Sequence, residues 1–307
     1  MATELAPDES SVYISDRITQ GYFRRTEAAL SYLKEVRDSR ELLLNLTMRE
    51  VRGQYKRTVF GQLWSLANPI AQMVIYTFVF GFVLRAQPEP GSPSGLNVFA
   101  LWLMTGLLPW AFFSTVVNQG MGSLVVNEGL IQKVYFPRIV LPLSTVGSAA
   151  YNWLFEMAVL IVALVLFGSF VWPWLPLLVV VMALLALFAS GIGMALSIAN
   201  VHFRDTQYFV GIILNFWMFL TPIMYPITLI ASQSEKIGPL LGTHITLLDV
   251  YRANPMERFV EVFRNLLYDN RMPDLSNLTF VLIAALVSFV VGMWIFSKNE
   301  RGLAEAL

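Results

Sequence analysis

Residues 157–203, MAVLIVALVLFGSFVWPWLPLLVVVMALLALFASGIGMALSIANVHF, run from Glu156 to Arg204 without a single Asp, Glu, Lys or Arg. A helix that crosses a bilayer needs about 20 predominantly apolar residues, so this run is too long for one crossing. GSFVWPWLP at 168–176 divides it, because Pro173 and Pro176 suit a tight turn better than a helix interior. Two spans follow: one near 142–167, extended upstream across Glu156, and the next near 175–197. The same reading outward gives four more. TVFGQLWSLANPIAQMVIYTFVFGFVL between Arg57 and Arg85 holds a span at about 63–84, and VFALWLMTGLLPWAFFSTVV one at 98–117. The fifth covers about 207–225 and ends at TPIMYP, and the sixth covers about 277–296. The expected fold is an all-α polytopic membrane protein with six transmembrane helices.

Composition agrees. Of 307 residues, 56% are hydrophobic and 14% charged, with mean hydropathy +0.60. Soluble domains carry about 25% charge, and disordered chains are charge-rich and poor in aromatics, so both classes are excluded. There is no cysteine, which removes disulfide scaffolds, thiolate metal sites and cysteine nucleophiles. His202 and His244 alone leave little scope for histidine metal sites.

Orientation follows the Lys and Arg of short loops, which stay cytoplasmic. Arg40, Arg49, Arg52, Lys56 and Arg57 precede the first span, Lys133 and Arg138 lie between the second and third, and Arg204 between the fourth and fifth. Lys298 and Arg301 follow the sixth, so both termini are expected in the cytoplasm. Residues 1–60 are polar and charged, and no secretory signal is expected there.

Three segments do not read as spans. Residues 1–57 form a cytoplasmic tail leading into an amphipathic helix, ahead of the six-span domain at 58–307. In ELLLNLTMREVRGQYKR, residues 41–57, Leu44, Met48, Val51 and Tyr55 make one stripe, and Asn45, Arg49, Arg52 and Lys56 adjoin it. That pattern fits a helix in the headgroup region with basic side chains reaching lipid phosphates; an ordinary juxtamembrane helix fits as well. The loop NQGMGSLVVNEGLIQKVYFPR, 118–138, fits either a short surface helix or an extension of the second span. Residues 226–276 are expected to hold short outer re-entrant helices. There Asn254 caps NPMERFVEVFRNLLYD, with Met256, Phe259, Val260, Phe263 and Leu267 on one face. Packing on the outer ends of the spans is the competing reading.

No phosphate-binding G-x-x-x-x-G-K-[ST] loop, nucleophile elbow or paired-carboxylate metal site occurs. Glu156 is the one charge within an expected span, with Asn152 one turn earlier on its face. A lone acid lacks the partner that acid–base chemistry needs, so no catalytic or metal-ligating residue is expected. Aromatic rings recur on helical faces: Tyr76 and Phe80 in the first span, Phe99, Trp102, Trp110 and Phe113 in the second, Phe209, Phe216 and Phe219 in the fifth. Rings of this kind stack on sugar faces; lipid-facing and packing roles account for them equally from composition.

With these blocks laid out, the sequence resembles the membrane (permease) subunit of ABC exporters for polysaccharides, the group that moves lipid-linked O-antigens, teichoic acids, capsule polymers and galactan. The resemblance is carried by LLLNLTMREVRGQYKRTVFGQLWSLANPIAQMVIYTFVFG (42–81), GLIQKVYFPRIVLPLSTV (129–146), VHFRDTQYFVGIILNFWMFLTPIMYP (201–226), and NPMERFVEVFRNLLY (254–268) with ERGLAEAL (300–307). It implies a homodimer in the bacterial plasma membrane with two ATP-binding cassette ATPase subunits on the cytoplasmic side. ATP and Mg would sit on those partners, with no cofactor on this chain. The resemblance assigns ATPase coupling to Glu128, Leu130, Lys133, Tyr135, Phe136 and Arg138, with His202, Arg204 and Asp205 as a second contact. By charge placement, Arg49, Arg52, Lys56 and Arg57 would meet the pyrophosphate of a polyprenol-linked glycan or lipid headgroups. The aromatics above would line a channel, and Phe259, Phe263 and Leu267 would form an outer gate. Nucleic acid is not an expected partner. The competing functions are export of a drug or small lipid on the same plan, a polyprenyl-sugar membrane enzyme, which would need clustered acids that are absent, and a membrane scaffold.

Overall fold

A computed structural model describes residues 38–85, 90–134, 136–239 and 244–303. Every regular element among them is helical. The chain opens with α1 (Arg40–Gln54) and turns into α2 (Trp64–Tyr76), which continues through wide π-type turns at Thr77–Val83. Next come α3 (Phe99–Val126), the single-turn α4 (Glu128–Ile131), α5 (Val140–Leu166), α6 (Leu175–His202) and α7 (Thr206–Leu220). Three short helices follow, α8 (Ile227–Ile237), α9 (Leu247–Arg252) and α10 (Pro255–Arg264), the last running on as a π turn at Asn265–Asp269. The long α11 (Leu275–Asn299) completes the bundle. Among the described residues five stretches are long and apolar enough to cross a membrane: Trp64–Val83, Phe99–Val126, Val140–Leu166, Trp172–His202 and Leu275–Asn299.

The fifth expected span differs. α7 has 15 residues, about 22 Å at 1.5 Å per residue, against a hydrocarbon core of about 30 Å. It stops at Leu220 because Pro222 cannot donate its nitrogen to the helix and drives Thr221 into the extended region, φ −99° and ψ 128°. The 118–138 loop also resolves toward one of its two readings. Its first part continues α3 to Val126, and the separate surface helix shrinks to the one turn of α4.

The helices alternate in direction, so the bundle has two ends. α1, the α3–α5 link, the α6–α7 link and the turn Glu300–Gly302 gather at one, the basic end. The loop before α3, the turn before α6 and the α7–α11 connection gather at the far end. α6 is the central post, flanked chiefly by α3 and α11. Glycines permit that contact: Gly191 and Gly292 meet backbone to backbone, and a Cβ on Gly120 would lie 3.3 Å from the Cα of Gly193. Small residues let helix backbones approach in an apolar solvent where burial of oil against oil gains little.

α10 is inserted rather than laid on top. Asn254 accepts a hydrogen bond from the Met256 amide at 3.0 Å, Pro255 occupies the first turn, and Met256, Phe259, Val260 and Phe263 are fully buried against α3, α6 and α11. Asn270, at φ 58°, ends the element in a left-handed conformation that Asn tolerates. α1 packs along α5 through Leu46 and Val51, while Leu44 and Met48 point outward. The apolar stripe read from the sequence is thus divided between protein and surroundings. The segment 1–37 lies outside the described residues, as does the end of ERGLAEAL.

Candidate functional site

The basic end is organised around a polar seam between α1 and α5. Ser144, Ser148 and Asn152 recur every four residues on α5, one per turn, and so share a face. Opposite them lie Thr47, Glu50, Gln54 and Tyr55. The Ser144 hydroxyl donates to Glu50 Oε1 at 2.8 Å, and Gln54 Nε2 donates to Ser148 Oγ at 3.2 Å. Asn152 Nδ2 donates to Gln54 Oε1 at 2.6 Å and its Oδ1 accepts from the Tyr55 hydroxyl at 2.9 Å. Gly147 makes the room, since a Cβ there would press on Thr47 at 2.9 Å. Burial pushes the Glu50 carboxyl above its usual range, partly offset by the Ser144 hydroxyl and the Arg49 charge. Directional bonds in a partly dry seam fix register, so α1 is fastened to α5 as one lever.

That lever is tied to the expected coupling segments. Arg49 Nη2 donates to Asn127 Oδ1 at 2.6 Å, and Asn127 Nδ2 donates to the Ser123 carbonyl at 2.9 Å. Asn127 directly precedes α4. Glu128 of α4 pairs with Arg204 of the α6–α7 link at 3.9 Å, an exposed and therefore weak pair. The Arg138 amide donates to Glu300 Oε1 at 2.7 Å, and its Nη1 donates to the Glu300 carbonyl, so the turn after α11 is clasped to the same loop. Beneath these bonds Leu46, Ile131, Ile139 and Leu303 are buried in one small core against which Leu130 and Phe136 pack. Lys133, His202, Arg204 and Asp205 remain on the surface, the His202 ring Nδ1 lying 2.9 Å from the Ile198 carbonyl. Tyr135 lies outside the described residues. Of the basic set, Arg52, Lys56 and Arg57 are exposed, whereas Arg49 is engaged with Asn127. Asn127, Glu300, Ser144 and Ser148 were missing from the sequence reading, and Asn152 entered it only as a neighbour of Glu156. The fourfold spacing of Ser144, Ser148 and Asn152 was the available signal.

The aromatic set divides. Trp102, Trp110 and Phe113 are sealed within the chain's own core. Phe113 stacks on Phe188 at 5.6 Å, and Trp110 and Phe113 meet Trp217 edge-on at 6.1 and 5.2 Å. These three, expected along a channel, have their rings in intramolecular contact, Trp102 beneath the Arg264 guanidinium. Tyr76, Phe80 and Phe99 are half-buried, with Phe80 stacked on Phe99 at 4.8 Å. Phe209, Phe216 and Phe219 of α7 are about two-thirds exposed, 66%, 66% and 64%, and form an open aromatic face.

The three residues expected at an outer gate are also buried. Phe259, Phe263 and Leu267 are buried under α10, Phe263 meeting Trp153 at 5.8 Å and Phe259 meeting Phe188 at 5.6 Å. They anchor the inserted segment, as the apolar stripe of an amphipathic helix does once a core is available. Glu156 is half-buried one turn beyond Asn152. Among the described residues no group of three or more His, Asp or Glu is placed to hold a metal ion.

Residues 41–237 match the family model described as ABC-2 type transporter. Over 275 residues the chain is 29% identical to an O-antigen export system permease protein, RfbA, of Myxococcus xanthus, covering 90% of this chain and 98% of that protein. It is 30% identical over 268 residues to an RfbA of Klebsiella pneumoniae, with 87% and 95% covered. It is 24% identical over 264 residues to the polysialic acid transport protein KpsM of Escherichia coli, with 84% and 93% covered. The matched span runs from α1 through the α3–α5 and α6–α7 links to α8, and with the multi-pass bundle it leads to one conclusion: the chain belongs to the ABC-2 type transporter family.

Proposed function

We propose that this chain is the membrane permease of an ATP-driven exporter that moves a polysaccharide, carried on a polyprenyl-pyrophosphate lipid, across the bacterial plasma membrane. Two copies form the path, and two ATPase subunits supply the energy from the cytoplasmic face. The observation that carries this reading is the network at the basic end: α4 and the α6–α7 link meet through Glu128 and Arg204, and α1 joins them through Arg49 and Asn127. Similarity over 84–90% of the chain to an O-antigen export system permease and a polysialic acid transport protein supports the substrate class.

The mechanism follows from the connections. ATP and Mg bind the partner ATPases, whose closure presses on the exposed face of α4 and on His202, Arg204 and Asp205. α4 continues α3 with one intervening residue, Asn127, and the α6–α7 link continues α7. A push at this end therefore displaces α3 and α7 directly, and α1 and α5 through Arg49 and the polar seam. Arg52, Lys56 and Arg57 present three cations at the membrane surface, suited to a lipid pyrophosphate. The open face of Phe209, Phe216 and Phe219 on α7 is the stacking surface for sugar at the axis between two copies.

Affinity purification from mild detergent tests the reading. The expected complex holds two copies of this chain and two copies of a P-loop ATPase. A monomer without an ATPase contradicts it.

A further inference from the structure

At the far end a cavity of about 270 Å³ opens between α10, the turn after α7 and the loop 90–92. Glu257, Glu261 and Arg264 line one wall, following i, i+4, i+7 spacing on the polar face of α10. Pro222, Pro226 and Trp102 belong to the same lining.

Most of the polar groups here are committed. Arg264 lies over the Trp102 ring, 3.8 Å from its centroid, and donates through Nη1 to the Pro222 carbonyl at 2.7 Å and through Nη2 to the Ile223 carbonyl at 2.6 Å. Asp269 at the rim accepts from the Ser92 amide at 3.3 Å and pairs with Arg271 at 3.3 Å. Glu257 is different. It is 1% exposed, and its Oε2 accepts no hydrogen bond among the described residues, the Arg258 Nε standing 3.6 Å away. A buried carboxylate oxygen without a donor is destabilising, and Glu257 belongs to the lining of the cavity. Glu261, half-buried, lines the same wall one turn on.

The chemistry of the lining selects the ligand. Three carboxylates, Glu257, Glu261 and Asp269, outnumber two guanidinium groups, Arg264 and Arg271. Above about pH 7, where Glu257 is ionised, such a wall accepts hydroxyl protons and repels anions. The proline rings of the lining suit the C–H face of a pyranose ring. The volume lies just under the range of about 300 Å³ and above typical of drug-sized ligands, which fits one sugar ring rather than a run of them.

We propose that this cavity is an outward-facing subsite for one neutral sugar unit of the exported glycan, with Glu257 and Glu261 accepting its hydroxyl hydrogen bonds. The proposal rests on the polysaccharide reading above and sharpens it, because it makes the transported glycan uncharged where it meets this wall.

The test uses the full-length chain in detergent at about pH 8, where Glu257 is ionised, titrated with methyl mannoside, methyl galactoside, methyl rhamnoside and the anionic methyl galacturonide, with binding read by saturation-transfer NMR. At least one neutral glycoside should bind and the galacturonide should not. Glu261→Gln and Glu257→Gln should each weaken binding on the order of ten-fold, the effect of losing a hydrogen bond to a charged group. Unfolding midpoints are recorded alongside, and the half-buried Glu261 carries the test should Glu257→Gln fail to fold. Absence of neutral glycoside binding, equal affinity in Glu261→Gln, or preferred binding of the galacturonide overturns the subsite. The export reading is judged separately, by whether depletion of the chain traps lipid-linked glycan inside the cell. Trapped glycan with no glycoside binding rejects the subsite alone.

Discussion

Two residues carry most of the testable chemistry at the smallest scale, Arg49 and Glu257. The Arg49–Asn127 bond is solvent-exposed, so its loss should change folding stability by under about 1 kcal/mol. Its position between the α1 lever and α4 gives it a larger effect on transport. Arg49→Ala and Asn127→Ala should each reduce export several-fold with the ATPase complex still assembled, and the double variant should be no worse than either single one, the mark of a shared interaction. Additive losses would place the two residues in separate roles. Glu257 yields a pH prediction. Burial first, then the neighbouring Glu261 charge, raises its carboxyl from 4.5 to about 7. A folded-state value above the unfolded one means that the native protein holds the extra proton between those limits. The associated stability is therefore complete below about pH 4.5 and is lost as pH rises through about 7, a change of up to about 3 kcal/mol. Thermal midpoints in detergent should fall between pH 5 and pH 8, and Glu257→Gln should shrink that fall.

At the scale of elements, the α6–α11 crossing is the least forgiving contact. A methyl on Gly191 would meet the backbone of Ser288 and Phe289, which has no flexible end to swing aside. Gly191→Ala should destabilise the protein by about 1–3 kcal/mol, the usual range for overpacking. Gly122→Ala, in the same kind of helix interior but with nothing within 4 Å of the added carbon, should be neutral or gain up to about 1 kcal/mol. Thermal unfolding of the two variants side by side checks the pair. The elements were readable in the sequence to different depths. Charge-free runs marked the spans because a bilayer demands uniform apolarity, and Asn254–Pro255 marked the start of α10. The end of α7 was placed too late because Thr221 and the residues after Pro222 are as apolar in composition as a helix would be. The choice between protein and surroundings for each apolar face was not legible at all. Phe263 and Phe216 are both phenylalanines on apolar stripes, and only tertiary packing decides that one is buried in the core and the other open.

Over the whole molecule, two ends of different make-up are joined by one close-packed middle. The basic end joins α1, α4, the α6–α7 link and the turn after α11 by short-range bonds. The far end inserts α10 into the bundle and leaves a polar cavity beside it. Between them α6 holds α3 and α11 through glycine contacts, so displacement at one end is not absorbed by a soft core. The basic end was partly readable in advance, since Lys and Arg report topology. The cavity was not, because its wall combines α10 with a proline turn some thirty residues earlier in the chain and a loop far upstream. The central claim is that this chain is the path by which a lipid-linked polysaccharide leaves the cell. Its most direct measurement is the amount of lipid-linked glycan inside and at the surface of cells depleted of the chain. Internal lipid-linked glycan should accumulate while surface glycan declines, with synthesis unchanged. Normal surface glycan and no internal accumulation would contradict the claim.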